Sequence, residues 1–199
     1  MYEHIKFKNA INMRKANYDK FPSTKLTGML VQGWDSIISM LKEKMDARKV
    51  LAVDLYTGVY EEEVLDAFSK EFSGRVMNVR DLMKPEKEIQ ALTERFMTED
   101  VLFGYVTNLK LEDYLDADKV AAARKQISEA KETIVIIGTG AAVVAPQDAM
   151  VVYADMARWE IQQRFRRHEV KALGIDNRND AVSLQYKRGY FNDWRVCDR

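Results

Sequence analysis

Apolar residues along this chain shift between helical and strand-like spacing. Trp34, Ile37, Ile38, Leu41 and Met45 fall on one face of a helix. The run Val50-Leu51-Ala52-Val53 predicts a buried strand, followed by a turn over 54–58. Val64, Leu65, Phe68 and Phe72 mark the inner face of a helix over 61–72, which Gly74 is expected to stop. A short strand is predicted over 76–79. Pro85 opens the next helix, where its missing N–H costs nothing, with Ile89, Leu92 and Phe96 inward. Residues 100–116 mix aromatics with turns and read equally as strand, loop or lid. Val120, Ala123 and Ile127 place a helix over 117–130. Ile134-Val135-Ile136-Ile137 is the strongest strand, apolar on both faces as a central parallel strand should be. A further strand covers 150–153 and a long helix 157–173. The tail over 181–194 carries four aromatics and is expected to dock on the body.

This alternation predicts an α/β fold in three layers, a mainly parallel sheet with helices on both faces. Residues 1–28 are polar, lack a period and carry the turn signal Tyr18-Asp19-Lys20-Phe21-Pro22-Ser23; they read as an arm ahead of a single domain over 29–199. A hydrophobic share of 47% fits a globular chain and exceeds that of a disordered one. The formal net charge of zero argues against a nucleic-acid partner. One cysteine, Cys197, cannot build a disulfide framework, so a reducing, cytoplasmic home is expected. The longest charge-free run, Thr133 to Gln147, has 15 residues with two glycines and a proline. A span needs roughly 20 apolar residues, so no membrane partner is expected.

The zero net charge is unevenly spread. Residues 1–28 carry six basic and two acidic side chains and residues 158–199 ten and six, which leaves fifteen and twenty-three between them. Basic ends flank an acidic centre and can fold back to neutralise it.

Ligands of open parallel sheets sit beyond the carboxyl ends of the strands, and three segments fall there. The first, 54–60, can be laid on the phosphate-loop pattern GxxxxGK[ST]. Only Gly58 fits; Val53 stands for the first glycine, Val59 for the phosphate-binding lysine and Tyr60 for the magnesium-binding hydroxyl. Glu61, Glu62 and Glu63 follow in the first helical turn, where carboxylates suit the helix dipole and repel phosphate. The second, Gly138-Thr139-Gly140-Ala141-Ala142-Val143, lacks the third glycine of a dinucleotide fingerprint; it reads as a tight loop with no cofactor-sized helix start. The third is the helix bearing Arg158, Arg164, Arg166 and Arg167, four arginines in ten residues. Such a stripe can hold phosphate by bidentate contacts or cover the acidic centre. Asp155 is expected to cap this helix or pair with Arg158. The phosphate-binding candidates are therefore Thr57, Gly58, Arg158, Arg164 and Arg167. His168 is expected on the helical face of Ile161 and Phe165 as a satisfied boundary residue; His4 is remote in sequence. No HExxH, QxHxxE, CxxC or GxSxG occurs, so neither a metal site nor a catalytic residue is assigned.

Residues 133–142 and 151–164, the end Tyr186-Lys187-Arg188-Gly189-Tyr190-Phe191-Asn192-Asp193-Trp194-Arg195-Val196-Cys197-Asp198-Arg199, and the arm piece Asn17-Tyr18-Asp19-Lys20-Phe21-Pro22 carry a resemblance. They look like the N-terminal region of bacterial proteins classed as class I mannose-6-phosphate isomerases. The resemblance implies that isomerase chemistry, and its zinc, belong to a cupin domain following Arg199, which would be this domain's partner. The region is itself similar to P-loop nucleoside kinases, which implies a kinase-like fold with a degenerate phosphate loop. The expected function is an accessory, non-catalytic domain of an isomerase-like carbohydrate-metabolism protein. Two alternatives stand beside it: a small phosphotransferase binding a nucleotide or phosphosugar through the arginine helix, and an interaction module whose arginine stripe docks a partner.

Overall fold

The computed structural model describes residues 17–19, 22–25, 27–45, 49–72 and 74–199. His4 and the remainder of 1–16, together with Lys20 and Phe21 of the turn signal, lie outside the described residues. The chain divides into one unit ending at Val31 and a second over Gln32–Arg199. In the first, the described residues are almost all exposed and form no helix or strand.

The second unit begins with α1 (Trp34–Met45), β1 (Val50–Leu55), α2 (Glu61–Glu71), β2 (Arg75–Asn78), α3 (Glu86–Met97) and α4 (Ala117–Glu129). It continues with β3 (Ile134–Gly138), α5 (Ala141–Val144), β4 (Met150–Ala154), α6 (Arg158–Arg166), α7 (Val182–Arg188) and α8 (Trp194–Cys197). A π-helical turn over Gly189–Asp193 joins α7 to α8. The four strands run parallel in the order β2-β3-β1-β4, so the fold is α/β with helices on both faces of the sheet.

Strand pleating explains the layers. Leu51, Val53, Leu55, Val135 and Ile137 point to one face and pack with Ile38, Leu41, Val64 and Phe68 of α1 and α2. Val50, Ala52, Ile134 and Ile136 point to the other and meet Ile89, Phe96, Val120 and Ile127 of α3 and α4. All four apolar residues of 134–137 are at most 1% exposed. Each contributes about 1.5–3 kcal/mol by burial, which makes β3 the hydrophobic axis of the domain. A third cluster of Tyr56, Ile161, Phe165, Val170 and Trp194 joins the carboxyl edge of the sheet to α6 and the C-terminal segment. Among the described residues no helix is long and apolar enough to cross a membrane.

Several local expectations need correction. The helix expected over 157–173 ends at Arg166. His168 takes a φ of 56°, its N–H bonds the Phe165 carbonyl, and the Glu169 N–H bonds that of Arg164. This is a Schellman stop built on histidine, where glycine is usual. His168 therefore lies off the helical face of Ile161 and Phe165, and its Nδ1 sits 2.5 Å from the Arg178 carbonyl. Gly74 does not cap α2, which Phe72 ends in extended backbone. A Cβ at Gly74 would lie 2.0 Å from the Thr133 carbonyl oxygen, so close strand approach requires glycine there. Of the readings left open for residues 100–116 the strand is not found: the segment is loop, with one regular piece, a 3-10 turn at Leu111–Tyr114. After Gly138 the tight loop does open a helix, α5, though it is only four residues long.

Candidate functional site

β1 sends its connection to β2 on one side and β3 sends its own to β4 on the other. The order of strands thus reverses between β1 and β3, and the crevice at their carboxyl ends is where such sheets bind ligands. Asp54, at the end of β1, spans it. Its carboxylate accepts from the Gly140 N–H at 3.0 Å and the Ala142 N–H at 2.8 Å. The α5 end that could meet an anion is thus already met by a carboxylate of the chain.

The β1–α2 loop is similarly filled. Gly58 adopts a φ of +91°, and a Cβ there would fall 2.8 Å from Ile161 Cγ1. Arg164 donates to the Gly58 carbonyl at 2.7 Å and lays its guanidinium 3.6 Å from the centre of the Tyr60 ring. Burial pushes the Cys197 thiol up, away from reactivity. The Thr57 hydroxyl and Glu61 Oε1 are buried without a hydrogen-bond partner. They border a cleft of about 40 Å³ that Gly58, Arg80, Glu169 and Lys171 also line.

Charge around the cleft closes on itself. Arg80 pairs with Glu61 at 3.1 Å, and Lys171 with Glu62 at 3.1 Å. Arg164 and Arg167 share Glu160 at 3.3 and 2.9 Å, and Arg167 also reaches Glu169 at 2.9 Å. Tyr60 donates its phenol to Glu169 at 2.5 Å. Arg167 holds the Glu160 and Glu169 carboxyls below their ordinary range; Glu62 is lowered by its own N–H and then by Lys171. Arg158 pairs with Asp198, which also accepts from the Tyr56 phenol at 2.8 Å. Burial raises that phenol above its usual range.

Of the sequence candidates, Thr57, Gly58 and Arg164 come together at the loop, and Arg167 stands behind them on Glu160 and Glu169. Arg158 belongs to a separate cluster with Tyr56 and Asp198. Asp155 neither caps α6 nor pairs with Arg158; it accepts the Met156 N–H at 2.7 Å, because Asp198 has taken the arginine. Sequence reasoning missed Arg80, Glu169 and Asp198. Tyr56 and Asp198 are 142 residues apart, and no local spacing announces such a pair. Among the described residues, no group of three or more His, Cys, Asp or Glu is placed to hold a metal ion.

The fold and this crevice define a parallel α/β domain in which the β1–α2 loop and the start of α5 are occupied by the chain's own side chains. The chain belongs to the DUF8485 family, described as a domain of unknown function, whose model matches residues 33–199. No curated protein and no solved structure gives a significant match.

Proposed function

We propose that this is a non-catalytic accessory domain of a mannose-6-phosphate isomerase-like protein, with a kinase-like fold and a phosphate loop closed from within. One observation carries the non-catalytic reading: each basic side chain around the β1–α2 loop is held by a carboxylate, and Arg164 by the Gly58 carbonyl as well. A phosphate would have to displace these pairs while facing Glu61, Glu62 and Glu63 at the start of α2. The isomerase link rests on the motif resemblance alone. On that reading the zinc and the turnover lie in a cupin partner, and this domain supports it in the cytoplasm.

The small phosphotransferase reading has one observation in its favour, the unpartnered Thr57 hydroxyl beside the cleft. Size weighs against it. About 40 Å³ holds a few waters, whereas ligand pockets run to about 300–1,000 Å³. Calorimetry and thermal-shift titration with magnesium-ATP and with mannose 6-phosphate separate the two. Neither ligand is expected to give heat or raise the melting temperature. Saturable binding of either, or isomerase turnover by this chain with zinc, overturns the accessory reading.

A further inference from the structure

The arginines of α6 divide into two sets. Arg158, Arg164 and Arg167 turn to carboxylates within the domain. Arg166 is exposed, lies over the Trp159 ring at 5.5 Å, and has no carboxylate partner among the described residues. In the C-terminal segment Arg195 is half-buried, lies over the Tyr190 ring at 4.7 Å and donates to the Tyr190 carbonyl at 3.0 Å, with no carboxylate partner among the described residues.

Beside Arg166 the surface is apolar and concave. Leu102, Gln162, Phe165, Arg166, Val182 and Tyr186 line a groove of about 330 Å³ between α6 and α7. Leu102 of its lining is 64% exposed, as are its neighbour Phe103, at 68%, and Trp159 beneath Arg166, at 67%. Contiguous exposure of this kind marks an interaction surface more often than it occurs by chance. Its support is firm. Tyr186 stacks with Tyr190 and meets Trp194 edge-on, and the buried Lys187 ammonium ties the 98–103 loop down through the Thr98 and Asp100 carbonyls.

We propose that this face is a docking surface for an acidic amphipathic helix of a partner protein. An apolar groove between two helices takes the i, i+3, i+4, i+7 side chains of a third. Arg166, which lines the groove and has no carboxylate partner among the described residues, calls for carboxylates on the flank of that helix. A second copy docked through the same face would bring together two segments of net charge +4, residues 158–199. The chain's own residues 1–28 carry the same charge, so neither supplies the complement. A bilayer offers no ridge of side chains to fill the recess. The groove shares no lining residue with the cleft at Gly58, so the proposal does not depend on the accessory reading.

The test is fluorescence anisotropy on the full chain with two labelled helical peptides. Both carry leucines at i, i+3, i+4 and i+7; one has glutamates on its flanks and the other lysines. The acidic peptide is expected to bind about tenfold tighter or better, and to weaken as salt rises. Arg166→Glu should cost about tenfold in affinity by placing like charges together, with the melting temperature unchanged. Ser183→Glu, on the α7 wall of the same groove, should weaken binding in the same way; Lys125→Glu on α4 should not. Binding of neither peptide, equal binding of both, or indifference to Arg166→Glu and Ser183→Glu overturns the proposal. So does a chain that binds anionic phosphatidylglycerol vesicles but not the acidic peptide.

Discussion

The cleft at Gly58 and the groove beside Tyr186 share one nine-residue helix, yet they are opposites. At the cleft, α6 presents Ile161 and Arg164 to a loop that fits them, and each cation has an anion. At the groove it presents Trp159, Gln162 and Arg166 toward solvent, and among the described residues Arg166 has no anion. Richness in arginine does not distinguish these states. The position on the helix does: residues 161 and 164 lie on one face, 159, 162 and 166 on another. A cationic helix can be a structural cover on one side and a recognition surface on the other.

Both regions depend on one buried ion pair. Arg188 lies 3.4 Å from Asp193, and each side chain is at most 7% exposed. Arg188 donates to the Leu173 carbonyl and Asp193 accepts the Leu173 N–H, so the pair ties the cleft wall to the segment bearing Tyr190. Asp193→Ala leaves a buried guanidinium uncompensated and should cost about 3–5 kcal/mol in urea unfolding. Hydrogen exchange should then rise in both regions together. A loss under about 1 kcal/mol would remove this pair as their shared anchor.

A smaller effect separates the two sides. Gly58→Ala must hold a left-handed φ with a Cβ 2.8 Å from Ile161, and should cost about 1–3 kcal/mol. Arg166→Ala on the outer face should stay within about 0.5 kcal/mol. Denaturant midpoints for the two variants check this. Equal losses would erase the distinction between a filled cleft and a free surface.

Much of this was legible in the chain. The strands were, because β1, β3 and β4 are apolar runs bounded by turns, and their alternation with helices implies the parallel sheet. The end of α6 was not, since His168 supplies the left-handed residue that a reader expects from glycine. The start of the site was legible too. Gly58 stood where a phosphate loop would, with its lysine and hydroxyl replaced and three glutamates after it. What fills that site was hidden. Glu169 and Arg80 reach it through tertiary folding from distant positions, as Asp198 reaches Arg158 and Tyr56, and Arg166 differs from Arg167 only by the turn of a helix.

Acid sharpens the same contrast with the smallest effect. Glu62, Glu160 and Glu169 around the cleft are held below the ordinary glutamate range, while among the described residues no carboxylate serves Arg166 or Arg195. A lowered folded-state pKa contributes stability above the unfolded value, near 4.3, and that stability is lost as pH falls below it. The melting temperature should therefore hold between neutral pH and about 5, then decline with acid. Asp176, held at about 2 by Arg178, extends the decline to lower pH, and the buried Asp193, raised by desolvation, works with the opposite sign. Both remain in a Glu160→Gln, Glu169→Gln double variant, so its difference from the parent isolates the cleft. Calorimetric scans across pH should show a shallower acid limb for the double variant and the same limb for Arg166→Ala. A double variant whose acid limb superimposes on the parent's would mean that these exposed pairs order the cleft without stabilising it.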